Sequence, residues 1–135
     1  MKIKQYIRSY VHLVAIFLNR HFKNKVTPNQ ITYIGLIMHL PIGFLIALQD
    51  NALAAVLLAF FGLFDTLDGE LARLQKKDSP SGMLLDASTD RFKEVIIYTG
   101  IAYQLLKLYP TQPAVIYALI ALGASMSVSY VKALS

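Results

Sequence analysis

The chain has no cysteine, which excludes disulfide staples and thiolate metal sites. Its first 25 positions hold no acidic residue, although Lys2, Lys4, Arg8, Arg20, Lys23 and Lys25 all fall there. Repeats, low-complexity tracts and a separate soluble domain are absent from the pattern. No cleavable signal peptide is expected, because the early basic residues are interleaved with apolar ones and no small-residue cleavage site follows a clean apolar core. Charge is scarce throughout. Only 16% of the 135 residues are charged against 56% hydrophobic, with a mean hydropathy of +0.49. That length allows one domain, residues 1–135. Four apolar runs reach or approach the ~18–20 residues that a membrane-crossing helix needs. An all-α integral membrane protein is expected. The net charge of +5 follows membrane logic and does not point to a nucleic-acid partner.

Residues 2–21 place Ile3, Tyr6, Ile7, Tyr10, Val11, Val14 and Phe17 at helical spacing, with Lys2, Lys4, Arg8 and His12 turned elsewhere. The start is too charged to span, so residues 1–25 are expected to lie as an amphipathic helix in the interface, near anionic lipid. His12 and His21 read as interfacial side chains rather than ligands. Thr27-Pro28-Asn29-Gln30 then opens the first span, with Thr27 as cap, Pro28 in the first turn and Gln30 completing a capping box. That span is expected to run to about Leu48, with a kink at Pro41. Gln49-Asp50-Asn51 forms the next turn. A second helix begins near Ala52, is apolar to Phe64 and stays helix-compatible to about Lys77. Asp78-Ser79-Pro80-Ser81 breaks it, and Ser79 and Pro80 suit the start of the next helix. A third span from about Gly82 to Leu108 and a fourth from Pro113 to about Leu134 complete four transmembrane helices over 27–134. The connection between the second and third spans carries Arg73, Lys76 and Lys77, whereas the opposite connections offer only Lys107. Positive charge marks the cytosolic side. The N-terminus and that connection are therefore expected at the cytosolic face of the cytoplasmic membrane, in a multi-pass topology.

That connection belongs to the most unusual stretch of the chain. From Asp65 to Asp90 it reads DTLDGELARLQKKDSPSGMLLDASTD. Asp65 and Asp68 share one helix face, as do Asp86 and Asp90. Both cross-pairings, Asp68 with Asp86 and Asp65 with Asp90, centre near residue 77, so a helical hairpin turning there brings the two acidic pairs face to face. At 100° per residue, Asp65, Asp68, Gly69 and Ala72 fall within about 100° of arc; Gly82, Asp86 and Asp90 make a similar stripe. Gly69, Ala72 and Gly82 leave room for a ligand to approach the backbone, and small residues also let membrane helices pack closely. The carboxylates demand more. An ionised Asp in mid-bilayer costs roughly 2.5–3.5 kcal/mol, and four converging negative charges repel one another. A divalent cation relieves both, and all-oxygen ligands favour Mg²⁺, Mn²⁺ or Ca²⁺ over zinc. Arg73 directly after Ala72, Lys76 on nearly the same face as Asp65 and Arg91 directly after Asp90 suit phosphate or pyrophosphate oxygens, while Lys77 reads as an interfacial anchor. A metal-bound pyrophosphate with one spare carboxylate suggests displacement at phosphorus, the spare Asp taking the proton of an attacking hydroxyl.

The spacing Asp65-x-x-Asp68-Gly69-x-x-Ala72-Arg73, eight residues, then Gly82-x-x-x-Asp86-x-x-x-Asp90 resembles the motif of the CDP-alcohol phosphotransferases. Thr27-Pro28-Asn29 and the amphipathic start are similar to that family too. The resemblance implies a divalent-metal-dependent transfer in phospholipid biosynthesis: a CDP-linked alcohol or lipid such as CDP-diacylglycerol reacts with a small alcohol to give a phosphodiester and CMP. It implies metal ligation, by two Mg²⁺ or Mn²⁺ ions, at Asp65, Asp68, Asp86 and Asp90, with Asp90 as general base. Gly69, Ala72, Arg73 and Gly82, with Asn29 and Thr27, would border the nucleotide; Lys132 and Arg91 would meet the acceptor. Membrane lipids and a second copy of the chain are the other partners the resemblance allows. Such enzymes usually have six membrane helices, so a truncation after the fourth is expected. Among acceptors, GMLLDASTDRFKE is most similar to inositol-phosphate-type members, with glycerol phosphate as the other candidate.

Other classes remain open on the residues alone. Intramembrane prenyltransferases also bind metal pyrophosphate with aspartates, but from an Asn/Asp-rich motif repeated on distant helices, without the Gly-x-x-Ala-Arg continuation. A divalent-cation transporter would need acidic residues through the bilayer, and the first and fourth spans have none. A catalytically inactive truncated homologue is the third alternative.

Overall fold

In a computed structural model, which describes residues 2–22, 25–77, 79–110 and 112–134, each expected helix forms and no strand occurs among the described residues. The order is α1 (Lys2–His21), α2 (Pro28–Ala47), α3 (Asn51–Leu74), α4 (Pro80–Leu108) and α5 (Gln112–Leu134). The starts are set by local chemistry. Thr27 Oγ1 accepts from Gln30 N at 3.3 Å while Gln30 Oε1 accepts from Thr27 N at 2.9 Å, closing the capping box, and Pro28 takes the first turn. Asp50 caps α3 by accepting from Leu53 N, and Ser79 caps α4 by accepting from Gly82 N with Pro80 behind it. α2 continues through Pro41 as one helix.

The second helix stops earlier than about Lys77. α3 ends at Leu74, and Lys76 adopts a left-handed φ of 53°. Lys76 N donates to Arg73 O and Lys77 N to Ala72 O, which is a Schellman arrangement with a lysine at the position glycine usually takes. The reason is tertiary. Gln75 Nε2 donates to Asn19 Oδ1 at 3.0 Å and to Val26 O at 2.7 Å, so the helix end is tied to α1 and to the α1–α2 connection.

α2 is the central element, packed against both α3 and α4; α5 packs on α4, and α1 on α3. Two apolar clusters mark the ends of the bundle. One joins Val11 and Ala15 of α1 to Ile31 of α2 and to Leu67 and Leu71 of α3. The other joins Ile42 and Ile46 to Ala54, with Ile97 and Ile101 of α4 against it. α1 thus has two apolar sides: Val11 and Ala15 dock on the bundle, while Tyr6, Tyr10, Leu13 and Phe17 stay exposed. A single lipid-facing stripe, as the spacing suggests, would have left the first side unpartnered.

Large apolar side chains are exposed along α2, α3 and α5, including Phe44, Val56, Phe60, Leu119 and Ile120. Water would not tolerate such a surface; lipid does, and the fold is that of a helical membrane protein. By length and apolarity two helices, α2 and α3, are long enough to cross, and α5 holds a shorter apolar run, Val115–Val131. α4 falls outside that criterion because Asp86, Asp90, Arg91, Lys93 and Glu94 crowd its first half. The expected four spans are therefore met in order and helical form, and in apolar length by two.

In lipid, helices associate by close packing more than by water exclusion. The α2–α4 crossing shows how close. A Cβ on Gly100 would overlap the carbonyl oxygen of Gly43, and one on Gly43 would lie 2.6 Å from Ile96 Cγ2 and 3.0 Å from Ile96 O. Gly100→Ala should therefore push α2 from α4 and destabilise the protein by about 1–3 kcal/mol. Gly62→Ala, whose added methyl meets nothing within 4 Å, should leave the melting temperature unchanged or raise it. Thermal unfolding of both variants in detergent reads the difference, and equal melting temperatures would refute the close crossing.

Candidate functional site

The α3–α4 connection sets the register of the two acidic pairs. With α3 closed at Leu74 and α4 capped by Ser79, one carboxylate oxygen each from Asp65, Asp68 and Asp86 comes within 4.8 Å of the others. These three come from two helices, and α2 supports them from behind. Thr32 Oγ1 donates to Asp68 Oδ2 at 2.6 Å, with both residues buried. Asp86 Oδ1 is buried and has no hydrogen-bond partner among the described residues. An acceptor in that position asks for a cation. Three hard oxygen donors at this separation, one of them orphaned, fit Mg²⁺ or Mn²⁺. Among the described residues, no histidine joins the group.

Asp90 is held differently. Its Oδ1 accepts from Lys93 Nζ at 3.0 Å, and the same ammonium donates to Asp65 Oδ1 at 2.5 Å. The four aspartates are thus brought to one place, three in mutual reach and the fourth joined through a buried lysine. Lys93 was not legible as a site residue. The only signal was its i,i+3 spacing from Asp90 within the charged first half of α4.

A cavity of about 300 Å³ opens beside the carboxylates of Asp68 and Asp86, and Asn29, Gly69, Ala72, Arg73 and Gly82 are on its wall. Five of the six expected nucleotide-side residues are gathered there; the sixth, Thr27, is occupied as the cap of α2. Lys77, expected as an interfacial anchor, also lines this cavity, because the left-handed turn at Lys76 redirects the chain after α3. A Cβ at Gly69 would meet nothing of the protein within 4 Å, whereas one at Gly82 would lie 3.2 Å from Ser79 Oγ. The space left by Gly69 therefore serves whatever occupies the cavity, while that left by Gly82 also serves the cap.

Arg73 does not stand alone at the rim. Its Nη1 donates to Glu70 Oε1 at 2.7 Å. Glu70 is only 8% exposed. It is also met by Arg8 Nε at 3.4 Å and His12 Nδ1 at 3.3 Å, both from α1. His12 is thus within hydrogen-bonding reach of Glu70 from α1. Glu70 is a second residue that the motif spacing did not single out.

On the other side of α4, a wider cavity of about 850 Å³ lies against α5. Asp86, Asp90 and Arg91 face Ser127, Ser129 and Tyr130 across it. Arg91 Nη1 donates to Glu94 Oε2 at 2.9 Å. Lys132 is in the last turns of α5, and its side chain lies outside the described residues. The acidic group therefore separates two cavities, one enclosed by small and basic residues and one open toward hydroxyl-bearing side chains.

A family model described as CDP-alcohol phosphatidyltransferase matches residues 25–134. The phosphatidylinositol phosphate synthase of Corynebacterium glutamicum is 36% identical over 113 residues, which cover 82% of this chain and 52% of that protein. The archaetidylinositol phosphate synthase of Pyrococcus horikoshii is 42% identical over 77 residues, covering 57% and 41%. Among solved structures, the phosphatidylinositol phosphate synthase of Mycobacterium tuberculosis with CDP-DAG bound superposes with a TM-score of 0.80 at 30% identity, over 91% of this chain and 61% of that one. The same enzyme in complex with manganese and citrate gives a TM-score of 0.78. The chain spans about half the length of the first of these relatives.

The Thr32–Asp68 bond joins α2 to the acidic group, and its acceptor carries charge when ionised. Hydrogen bonds to charged groups contribute about 1.5–3 kcal/mol. Thr32→Val, which keeps the shape, should lower metal-free stability by roughly that amount, and Thr32→Ser should restore most of it. Chemical denaturation in the presence of EDTA measures both, and an unchanged Thr32→Val would show that the bond does not form.

Proposed function

Because the chain belongs to the CDP-alcohol phosphatidyltransferase family, we propose that it transfers a substituted phosphate from a CDP-linked alcohol, such as CDP-diacylglycerol, to a small alcohol with release of CMP. The observation that carries this reading is the set of three carboxylates within 4.8 Å placed between a small-residue cavity and a second, hydroxyl-lined one. The family membership removes the prenyltransferase and transporter alternatives. The reading treats residues 1–135 as one membrane domain.

The donor pyrophosphate fits the smaller cavity. Gly69, Ala72 and Gly82 let the cytidine diphosphate approach the helix backbones, Asn29 borders it while Thr27 caps the helix that carries Asn29, and Arg73 offers a fork of donors to its phosphates. Glu70, Arg8 and His12 hold Arg73 at that rim. Asp65, Asp68 and Asp86 bind divalent metal, Mg²⁺ or Mn²⁺, with Asp90 beside them. A divalent ion held there would supply Lewis-acid polarisation of the pyrophosphate and charge stabilisation for the leaving CMP.

Asp90 faces the larger cavity, where the acceptor would enter beside Arg91 and Lys132. Its carboxylate accepts the proton of the acceptor hydroxyl as that oxygen bonds to the phosphorus bearing the lipid. The phosphorus–oxygen bond to CMP breaks in the same displacement. A phosphorylated acceptor suits the basic side chains of Arg91 and Lys132, and the inositol-phosphate chemistry in the names of the relatives makes inositol phosphate the preferred acceptor over glycerol phosphate.

The charge pattern supports an active site and an N-terminus on the cytosolic side of the cytoplasmic membrane, with α1 in the headgroup layer. Membrane lipid covers the exposed apolar faces, and a second copy of the chain is the protein partner this reading admits.

Asp90→Asn should lower CMP release by about 10²–10⁴-fold while cytidine nucleotide binding persists. Turnover near wild type would remove Asp90 as the base. EDTA should abolish CMP release from CDP-diacylglycerol for every acceptor in a panel, and Mn²⁺ or Mg²⁺ should restore it. Gly69→Leu should weaken nucleotide binding without loss of melting temperature, since the glycine faces open space within the protein.

A further inference from the structure

A buried ammonium in a membrane bundle is costly unless it is paired. Lys93 is 4% exposed, and its seat is built by three helices. Asp65 of α3 and Asp90 of α4 accept from its Nζ. Gly35 of α2 lies behind, where an added Cβ would be 3.9 Å from Lys93 Cε and 3.8 Å from Asp65 Oδ1. Among the described residues, Lys93 is the one cation in ion-pair contact with the motif aspartates. Arg73 and Arg91 are engaged with Glu70 and Glu94 instead. Asp65 therefore serves two masters: it belongs to the three-carboxylate group, and it is held by Lys93.

We propose that Lys93 is a positioning residue, a tethered cation that clamps Asp90 to Asp65 and competes with the divalent ion for Asp65. The inference rests on the reading of these aspartates as a metal site. Without metal, the ammonium offsets part of the repulsion among four carboxylates and keeps Asp90 on the wall of the α4–α5 cavity. With metal, Asp65 is shared between the ion and Lys93, so the clamp weakens metal binding while holding the base in place. The two effects have opposite signs on affinity and turnover, which separates this role from simple packing.

Mn²⁺ titration followed by electron paramagnetic resonance tests it, on the whole chain in detergent, for wild type, Lys93→Met, Lys93→Gln and Lys93→Arg. Removing one unit charge a few ångströms from the ligands should tighten Mn²⁺ binding by at least about tenfold in Lys93→Met and Lys93→Gln. The same two variants should melt at lower temperature in EDTA and release CMP more slowly with donor KM little changed. Lys93→Arg should remain near wild type in Mn²⁺ affinity. Mn²⁺ affinity that is unchanged or weaker in both neutral variants overturns the role of Lys93 alone. Absence of Mn²⁺ uptake by wild type and every variant overturns the metal site, and the competition with it.

Discussion

Mutual repulsion among aspartates is the constraint around which this bundle is built. Three carboxylates within 4.8 Å, in a setting poorer in water than a protein surface, push apart by several kcal/mol per pair at an effective dielectric near 20. A fold that gathers them needs compensation at short range. The structure supplies it from two directions, the Thr32 hydroxyl on Asp68 and the Lys93 ammonium on Asp65 and Asp90, and leaves an orphaned oxygen of Asp86 that a divalent cation would complete. Each compensating group comes from α2 or α4, so the site needs the whole three-helix core.

This explains why α2 is central although it contributes no acidic residue. Thr32, Gly35 and Gly43 lie along one side of it at near-helical spacing, and all three are buried. Thr32 bonds Asp68, Gly35 makes room for the lysine, and Gly43 lets α4 approach until backbone meets backbone. Loosening that approach would rotate or shift α4 and with it Asp86, Asp90 and Lys93. Packing far from the carboxylates is in this way coupled to their separation.

The surface helix is coupled to the same place by different means. α1 docks through Val11 and Ala15 and sends Arg8 and His12 to the buried Glu70, which in turn holds Arg73. Arg8 and Arg73 are more than half exposed, so the individual pairs contribute little to stability. Their effect is geometric: they aim a cation at the rim of the smaller cavity.

Much of this molecule was legible from local spacing. The helices, the Thr27–Gln30 capping box, the Ser79 cap and the pairing of four aspartates about residue 77 follow from periodicities of three and four residues, because helical geometry alone converts spacing into a shared face. Gly69, Ala72 and Gly82 fall on the same stripes for the same reason, while Arg73 was legible from its place directly after Ala72 and from the motif's resemblance. The end of α3 was misplaced by about three residues, since Gln75 is drawn away by partners on α1 and the α1–α2 connection. The clamp of Lys93 on Asp65, the bond of Thr32 to Asp68 and the pairing of Arg8 with Glu70 join residues 28, 36 and 62 positions apart. No short-range pattern encodes them. They depend on how helices cross and rotate, which the close α2–α4 approach and the docking of α1 decide. The sequence by itself determined which carboxylates could meet; only the tertiary structure decided which cation and which hydroxyl meet them.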